Sequence, residues 1–204
     1  MGTLTKKEIE HRLEEETADS LVITPLLSGK QIGDVSVDLR LGNQFIVFRT
    51  HTLGAFDIDE LKGRLRQVQE RHIVPFGKHF VLHPGMLALG ATFEYVSLPG
   101  DLECQVEGRS SWARVGLQIA TASSVEPLFH GVITLELSNT GTIPLRLYPG
   151  IRIAQLVFHE ATPKIEPGQA HEQRKYHGSI GPEFSRVYSD KDMSVFVQDV
   201  GEGH

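Results

Sequence analysis

The residues best suited to chemistry lie between positions 108 and 136. Arg109-Ser110-Ser111-Trp112-Ala113-Arg114 places two guanidiniums and two hydroxyls in a short span. Guanidinium forks and hydroxyl or backbone donors suit the oxygens of a phosphate. Further along, Glu126 precedes Pro127, and Glu136 stands inside the alternating run GVITLEL. A carboxylate among Val, Ile and Leu is costly to bury unless it is partnered or used in chemistry. Each piece also has a plainer reading. The arginine–serine run suits an ordinary helix start with surface arginines, and Glu136 suits the outward side of a half-exposed strand.

The elements that must position these residues are strands. From His72 onward, IVPF, FVLH, MLALGATFEYVSL, LECQVEG, GLQIAT, GVITLEL, PLRLY and RIAQLVF alternate in polarity and are separated by Gly and Pro. Many short strands at this spacing predict a mainly-β sandwich, barrel or jelly roll rather than a parallel α/β sheet. Before them, Thr5-Lys6-Lys7-Glu8 has the pattern of a capping box. Ile9 and Leu13 fall on one face, so a short helix is expected over 5–16. LVITPLL (21–27) reads as a strand interrupted by Pro25, at an edge or leading into a turn. Two alternating runs over 36–49 meet at Gly42-Asn43, a hairpin signal. Residues 57–71 suggest an exposed helix or insertion, with Gly63 weakening the helix. Beyond Pro163 the pattern becomes a polar tail containing RKYHGSIGPEFSR, expected to be a lid or disordered.

Composition narrows the classes. The chain has 204 residues, enough for one domain with a real core. Its net charge of -6 argues against a broad nucleic-acid footprint. A small anionic ligand would therefore need local cations, a metal ion or both. The single cysteine, Cys104, excludes an internal disulfide framework and suits a reducing compartment. The opening MGTLTKKEIEHRLEEE has no signal-type apolar region, and no apolar run approaches the roughly 18 residues of a membrane helix. A cytoplasmic, single-domain protein without membrane association is expected. His79 and His83 are placed to share a strand face, yet no Cys or carboxylate completes a ligand set with them, so no protein metal site is expected.

The linked motifs resemble the dCTP deaminase family of the dCTP deaminase/dUTPase superfamily. The intact run from Gly108 to Leu117 carries the likeness first, followed by Thr121-Ala122, Glu126-Pro127 and Leu135-Glu136. Asn139, Gly141, Pro144-Leu145 and Pro149-Gly150 continue it, as do 36–42, 83–85 and Lys175-Tyr176 with Gly178. The resemblance implies a distorted β-barrel or jelly-roll subunit, a homotrimer with sites shared between neighbouring chains, and a pyrimidine deoxynucleoside triphosphate as substrate. It implies Glu136 as general base and acid, Ser110 holding the water or base edge, the Ala122 carbonyl orienting that water, and Arg114 near the developing charge. Arg109, Ser111, Trp112, Ala113, Glu126, Thr134, Leu135, Lys175 and Ser179 would line the nucleotide. Mg²⁺ would enter on the triphosphate. One cysteine and no P-C-x-x-C exclude the zinc site of the other cytidine deaminases.

The chain departs from the pattern at Ser123-Ser124-Val125-Glu126, where His-Arg-Ile-Asp or something close is usual, and at Ser179, where Gln is usual. Glu126 is one methylene longer than the Asp expected at the sugar. The sequence therefore ranks deamination of dCTP to dUTP first, and a bifunctional reaction ending at dUMP second. A dUTPase comes third, and a silent nucleotide-binding trimer belongs to a different class.

Overall fold

The computed structural model describes residues 2–15, 17, 20–49, 64, 67–120, 124–169, 176 and 178–189. Eleven strands are found among them. In order they are β1 (Val22–Thr24), β2 (Val37–Arg40), β3 (Gln44–Phe48), β4 (Gln69–Ile73), β5 (Phe80–Leu82), β6 (Leu87–Ser97) and β7 (Leu102–Gly108). There follow β8 (Leu117–Ala120), β9 (His130–Asn139), β10 (Leu145–Leu147) and β11 (Arg152–Glu160). Helix α1 spans Lys6–Glu14, and a single turn, α2, spans Ser110–Ala113.

All pairings between strands are antiparallel. The main sheet runs β4-β3-β6-β9-β8 with β1 also on β6, a second runs β2-β11-β7, and β10 pairs β5. The fold is mainly β, as expected, and among the described residues the strands do not close into a barrel. Between the two larger sheets lies a core that includes Phe45, Leu39, Leu135, Leu137, Leu156 and Phe158. Cys104 is buried in it, and burial pushes its thiol up, which leaves it inert. No helix of the described residues is long and apolar enough to cross a membrane.

Strand β6 carries the main irregularity. Its register with β9 shifts between Ala91 and Tyr95. There the Thr92 hydroxyl replaces lost ladder bonds, accepting from Ile133 N at 2.9 Å and donating to Glu94 O at 2.8 Å. The bulge turns the Glu94 carboxylate inward, fully buried, where Gln31 Nε2, Arg40 N and Arg40 Nη1 donate to it at 3.0, 2.7 and 3.2 Å.

The same bulge accounts for a misread turn. The runs over 36–49 are not a hairpin, because β2 joins the second sheet and β3 the main one. Gly42 is the crossing point: its N–H donates to Ala91 O at 2.8 Å, and a Cβ there would stand 3.0 Å from that oxygen. The capping box at Thr5 also fails to form, since Thr5 makes no side-chain cap and Lys6 N donates to Asp34 O instead. A capping box appears where none was expected, between Ser28 and Gln31. Strand β1 stops just before Pro25, as the proline required. Of the expected insertion over 57–71, most lies outside the described residues; residues 64, 67 and 68 are helical and 69–71 already belong to β4.

Candidate active site

Cross-strand register sets the surroundings of Glu136. Arg71 lies opposite Ile46, Ile46 opposite Leu89, Leu89 opposite Glu136, and Glu136 opposite Ala120. Opposed side chains share a sheet face, and residues two apart on one strand do as well. Glu136 therefore shares its face with Ile46, Leu89, Ala91 and Thr134, while Leu135 and Leu137 point into the core. Ile46, Leu89 and Ala91 are buried but do not belong to the core between the sheets. They form a second, smaller apolar surface around the carboxylate. Glu136 Oε2 is buried and finds no hydrogen-bond partner among the described residues. Burial pushes this carboxyl above its ordinary value of 4.5, and the residue's own backbone N–H offsets part of that rise. Such a group can take and later return a proton nearer to neutral pH than an exposed glutamate can.

The C-terminal segment lies across this face. Ser179 bridges Gly131 in parallel, its carbonyl accepting from Val132 N at 2.8 Å, beyond the point where β8 has stopped pairing with β9. Glu183 N donates to Thr134 Oγ1 at 3.2 Å, and the Glu183 carboxylate accepts from Ser179 Oγ at 3.0 Å and Arg186 Nη2 at 2.8 Å. Gly181 abuts the Gln44 amide closely enough that a Cβ would stand 2.8 Å from its oxygen. The Arg71 guanidinium lies 5.0 Å from the Phe184 ring centroid. Thr134, expected at the nucleotide, contacts this segment, and Ser179, also expected there, is part of it.

The α2 turn follows the end of β7. Arg109 N donates to Ile153 O at 3.1 Å, and Trp112 Nε1 donates to Arg152 O at 3.1 Å, so the turn is fastened to β11. The indole packs against the core, which makes Trp112 an anchor for the turn. Ser110, Ser111, Ala113 and Arg114 are exposed. Arg109 Nε lies 3.3 Å from Asp38 Oδ1, and Arg152 Nη1 lies 2.9 Å from Asp38 Oδ2 and 3.3 Å from Lys30 O. Arg114 makes no ion pair among the described residues, with Glu136 or any other group. Leu135 is fully buried in the core, so only its backbone is available to a ligand. Ala122 and Lys175 lie outside the described residues.

Glu126 is exposed at the start of a tight turn in which Phe129 N donates to Glu126 O at 3.2 Å. Pro127 is second in this turn and Leu128 third, with φ 64°, the left-handed conformation a glycine would adopt more cheaply. Just before it, Val125 exchanges two backbone bonds with Cys104, and Ser124 Oγ donates to Glu103 Oε2 at 3.2 Å. Residues 124–126 are thus zipped to β7.

Comparison with known proteins gives this geometry its context. The family model described as dCTP deaminase-like matches residues 3–161. The chain belongs to the dCTP deaminase-like family. Within that family, it is 41% identical over 199 residues to a protein of Methanosphaera stadtmanae named "dCTP deaminase, dUMP-forming", covering 95% of this chain and 98% of that one. It is 40% identical over 193 residues to a Haloarcula marismortui protein named "dCTP deaminase", covering 93% and 97%. Among solved structures, the 2'-deoxycytidine 5'-triphosphate deaminase of Agrobacterium tumefaciens superposes with a TM-score of 0.60 at 23% identity. That match covers 78% of this chain, which spans about half of the longer one (48%), and it supports the fold alone.

For a dCTP deaminase-like chain, the structure adds three residues that sequence reasoning did not single out: Asp38, Arg152 and Glu183. Asp38 and Arg152 sat within stretches already noted as strands, 36–42 and RIAQLVF, but nothing local says that they meet. Glu183 lies in the quoted stretch RKYHGSIGPEFSR, where nothing local says that it meets Ser179 and Thr134.

Proposed function

We propose that this chain hydrolyses dCTP in two steps, first to dUTP and ammonia and then to dUMP and pyrophosphate. The observation that carries the first step is the half-buried Glu136 carboxylate, with Oε2 buried and unpartnered beside the apolar side chains of Ile46, Leu89 and Ala91. Replacing the 4-amino group requires a water to lose a proton as it attacks the ring carbon. The adjacent ring nitrogen gains a proton, and the amine leaves as ammonia after gaining one too. Glu136 accepts the water's first proton and passes it to the ring nitrogen, then takes the remaining proton of the new hydroxyl and passes it to the leaving amine. Ser110 and the Ala122 carbonyl hold the water and base edge, and Arg114 approaches the developing charge when neighbouring copies assemble as a trimer. Arg109, Ser111 and Lys175 take the phosphates.

Support for the second step comes from the relatives. The Methanosphaera stadtmanae and Methanobrevibacter smithii proteins, 41% and 42% identical, are both named as dUMP-forming. They favour the two-step reaction over the dUTP-forming one ranked first on sequence. Glu126 would orient the water that attacks the phosphate chain. Mg²⁺ entering with the triphosphate would neutralise part of its charge. Among the described residues no three His, Cys, Asp or Glu side chains stand together.

The test is incubation of purified protein with Mg²⁺ and, separately, dCTP, dUTP, CTP and dCMP, with chromatography of the products. The expected result is dUMP and pyrophosphate from dCTP. Accumulation of dUTP alone would restrict the enzyme to deamination, and turnover of none would leave a binding module.

A further inference from the structure

Three guanidiniums converge on the outer side of the β2-β11 pair, and two carboxylates serve them. Arg40 and Arg152 are direct cross-strand partners, and Arg109 reaches in from the end of β7. Glu94, fully buried, takes Arg40 at 3.2 Å. Asp38 alone takes both others, one through each carboxylate oxygen. Glu107, exposed in the same cross-strand row as Asp38 and Gln155, pairs with none of the three. The arrangement therefore keeps one positive charge in excess, in a chain whose net charge is -6.

The geometry also limits which atoms are spoken for. Arg109 uses Nε towards Asp38, which leaves its two terminal nitrogens. Arg152 uses Nη1 towards Asp38 and the Lys30 carbonyl, which leaves Nη2 and Nε. Both side chains remain open to solvent, at 31% and 40% exposure, whereas Asp38 is only 14% exposed. Lys30 is itself held in place, because the Ser28–Gln31 capping box lies there and Gln31 Nε2 donates to Asp38 O and Glu94. Two guanidiniums fixed by one carboxylate between them form a pre-oriented receiver for an extended polyanion. Their mutual repulsion is offset before the ligand arrives, and little side-chain freedom remains to be lost on binding.

We propose that Arg152 is a further phosphate-chain residue of this site, and that Asp38 is the positioning residue that holds Arg152 and Arg109 as a pair. The proposal rests on the reading of Arg109 as a phosphate contact. A purely structural role, pinning β11 to β2 and to Lys30, is the alternative it must beat.

The experiment measures kcat and KM for dCTP, and calorimetric binding of inorganic tripolyphosphate and of dCMP, in Arg152→Gln, Arg152→Lys and Asp38→Asn. Loss of a charge-assisted bond predicts a rise of about 10- to 100-fold in KM for dCTP with Arg152→Gln, with kcat changed far less. Tripolyphosphate affinity falls in parallel, and dCMP affinity falls much less. Arg152→Lys recovers part of the loss, because charge is restored without the fork. Asp38→Asn raises KM although it touches no ligand. A lowered melting temperature with unchanged KM and tripolyphosphate affinity in Arg152→Gln would overturn the proposal. If the wild-type protein fails to turn over dCTP, the parent reading falls, and tripolyphosphate binding to wild type against Arg152→Gln still decides the role of Arg152.

Discussion

The backbone N–H of Glu183 donates to the Thr134 hydroxyl at 3.2 Å, two residues along β9 from Glu136. The C-terminal segment is thereby docked on the sheet face that carries Glu136. Thr134→Val removes the acceptor and keeps the shape. It is expected to weaken docking by about 1 kcal/mol. Hydrogen exchange over 178–186 should then quicken several-fold; exchange as slow as in wild type would show that Ser179 and Arg71 suffice to hold the segment.

Glu136 should report on its surroundings through pH. Its carboxyl is raised, so the folded state favours the protonated form and loses stability as pH rises through the raised value. Glu136→Gln keeps the neutral shape. At pH 8 it should melt higher than wild type, and the difference should vanish below the ordinary carboxyl value of 4.5. The same variant should lose at least about 10²-fold in turnover while binding dCTP normally. Substantial residual activity would remove Glu136 from the mechanism.

Arg114 stands exposed and without an ion pair among the described residues, free to meet substrate or a neighbouring copy. Arg114→Ala should lower kcat as well as affinity if the guanidinium meets developing charge. A fall in affinity with kcat intact would make it a plain anion anchor.

Glu126→Ala separates the two proposed steps. Deamination should persist while pyrophosphate release fails, so dUTP should accumulate from dCTP. Continued formation of dUMP at the wild-type rate would assign the second water to another group.

Arg40 and Glu94 offer a test of stability. Arg40→Met leaves the buried Glu94 carboxylate short of its cation, a loss of about 3–5 kcal/mol. Burial raises the Glu94 carboxyl, so protonation on acidification should ease the penalty. Urea midpoints at pH 7 and pH 5 should differ less from wild type at the lower pH; an equal difference at both would mean that Glu94 is already neutral at pH 7.

What the sequence made legible was local. Glu136 stood out because a lone carboxylate interrupts an apolar alternation, and the strands from Phe80 to Glu160 followed from the same period-two pattern. What escaped it was set by partners far away in the chain. Gly42-Asn43 carries hairpin chemistry, yet the β6 bulge at Thr92 turns it into a passage between sheets. Thr5 has the residue type and spacing to cap α1, yet its side chain makes no capping bond. Asp38 alternates with buried Val37 and Leu39 and so reads as solvent-facing, until residues 109 and 152 arrive to claim it.

The segment from Ser179 to Arg186 follows all eleven strands found among the described residues. A nascent chain on the ribosome can complete both large sheets before this segment emerges. During that interval Thr134 and Gln44 lack the contacts that Glu183 and Gly181 make with them. The face that carries Glu136 gains this cover only once synthesis has passed Arg186, so a stalled or clipped product would leave that face more open to water and to unwanted contacts.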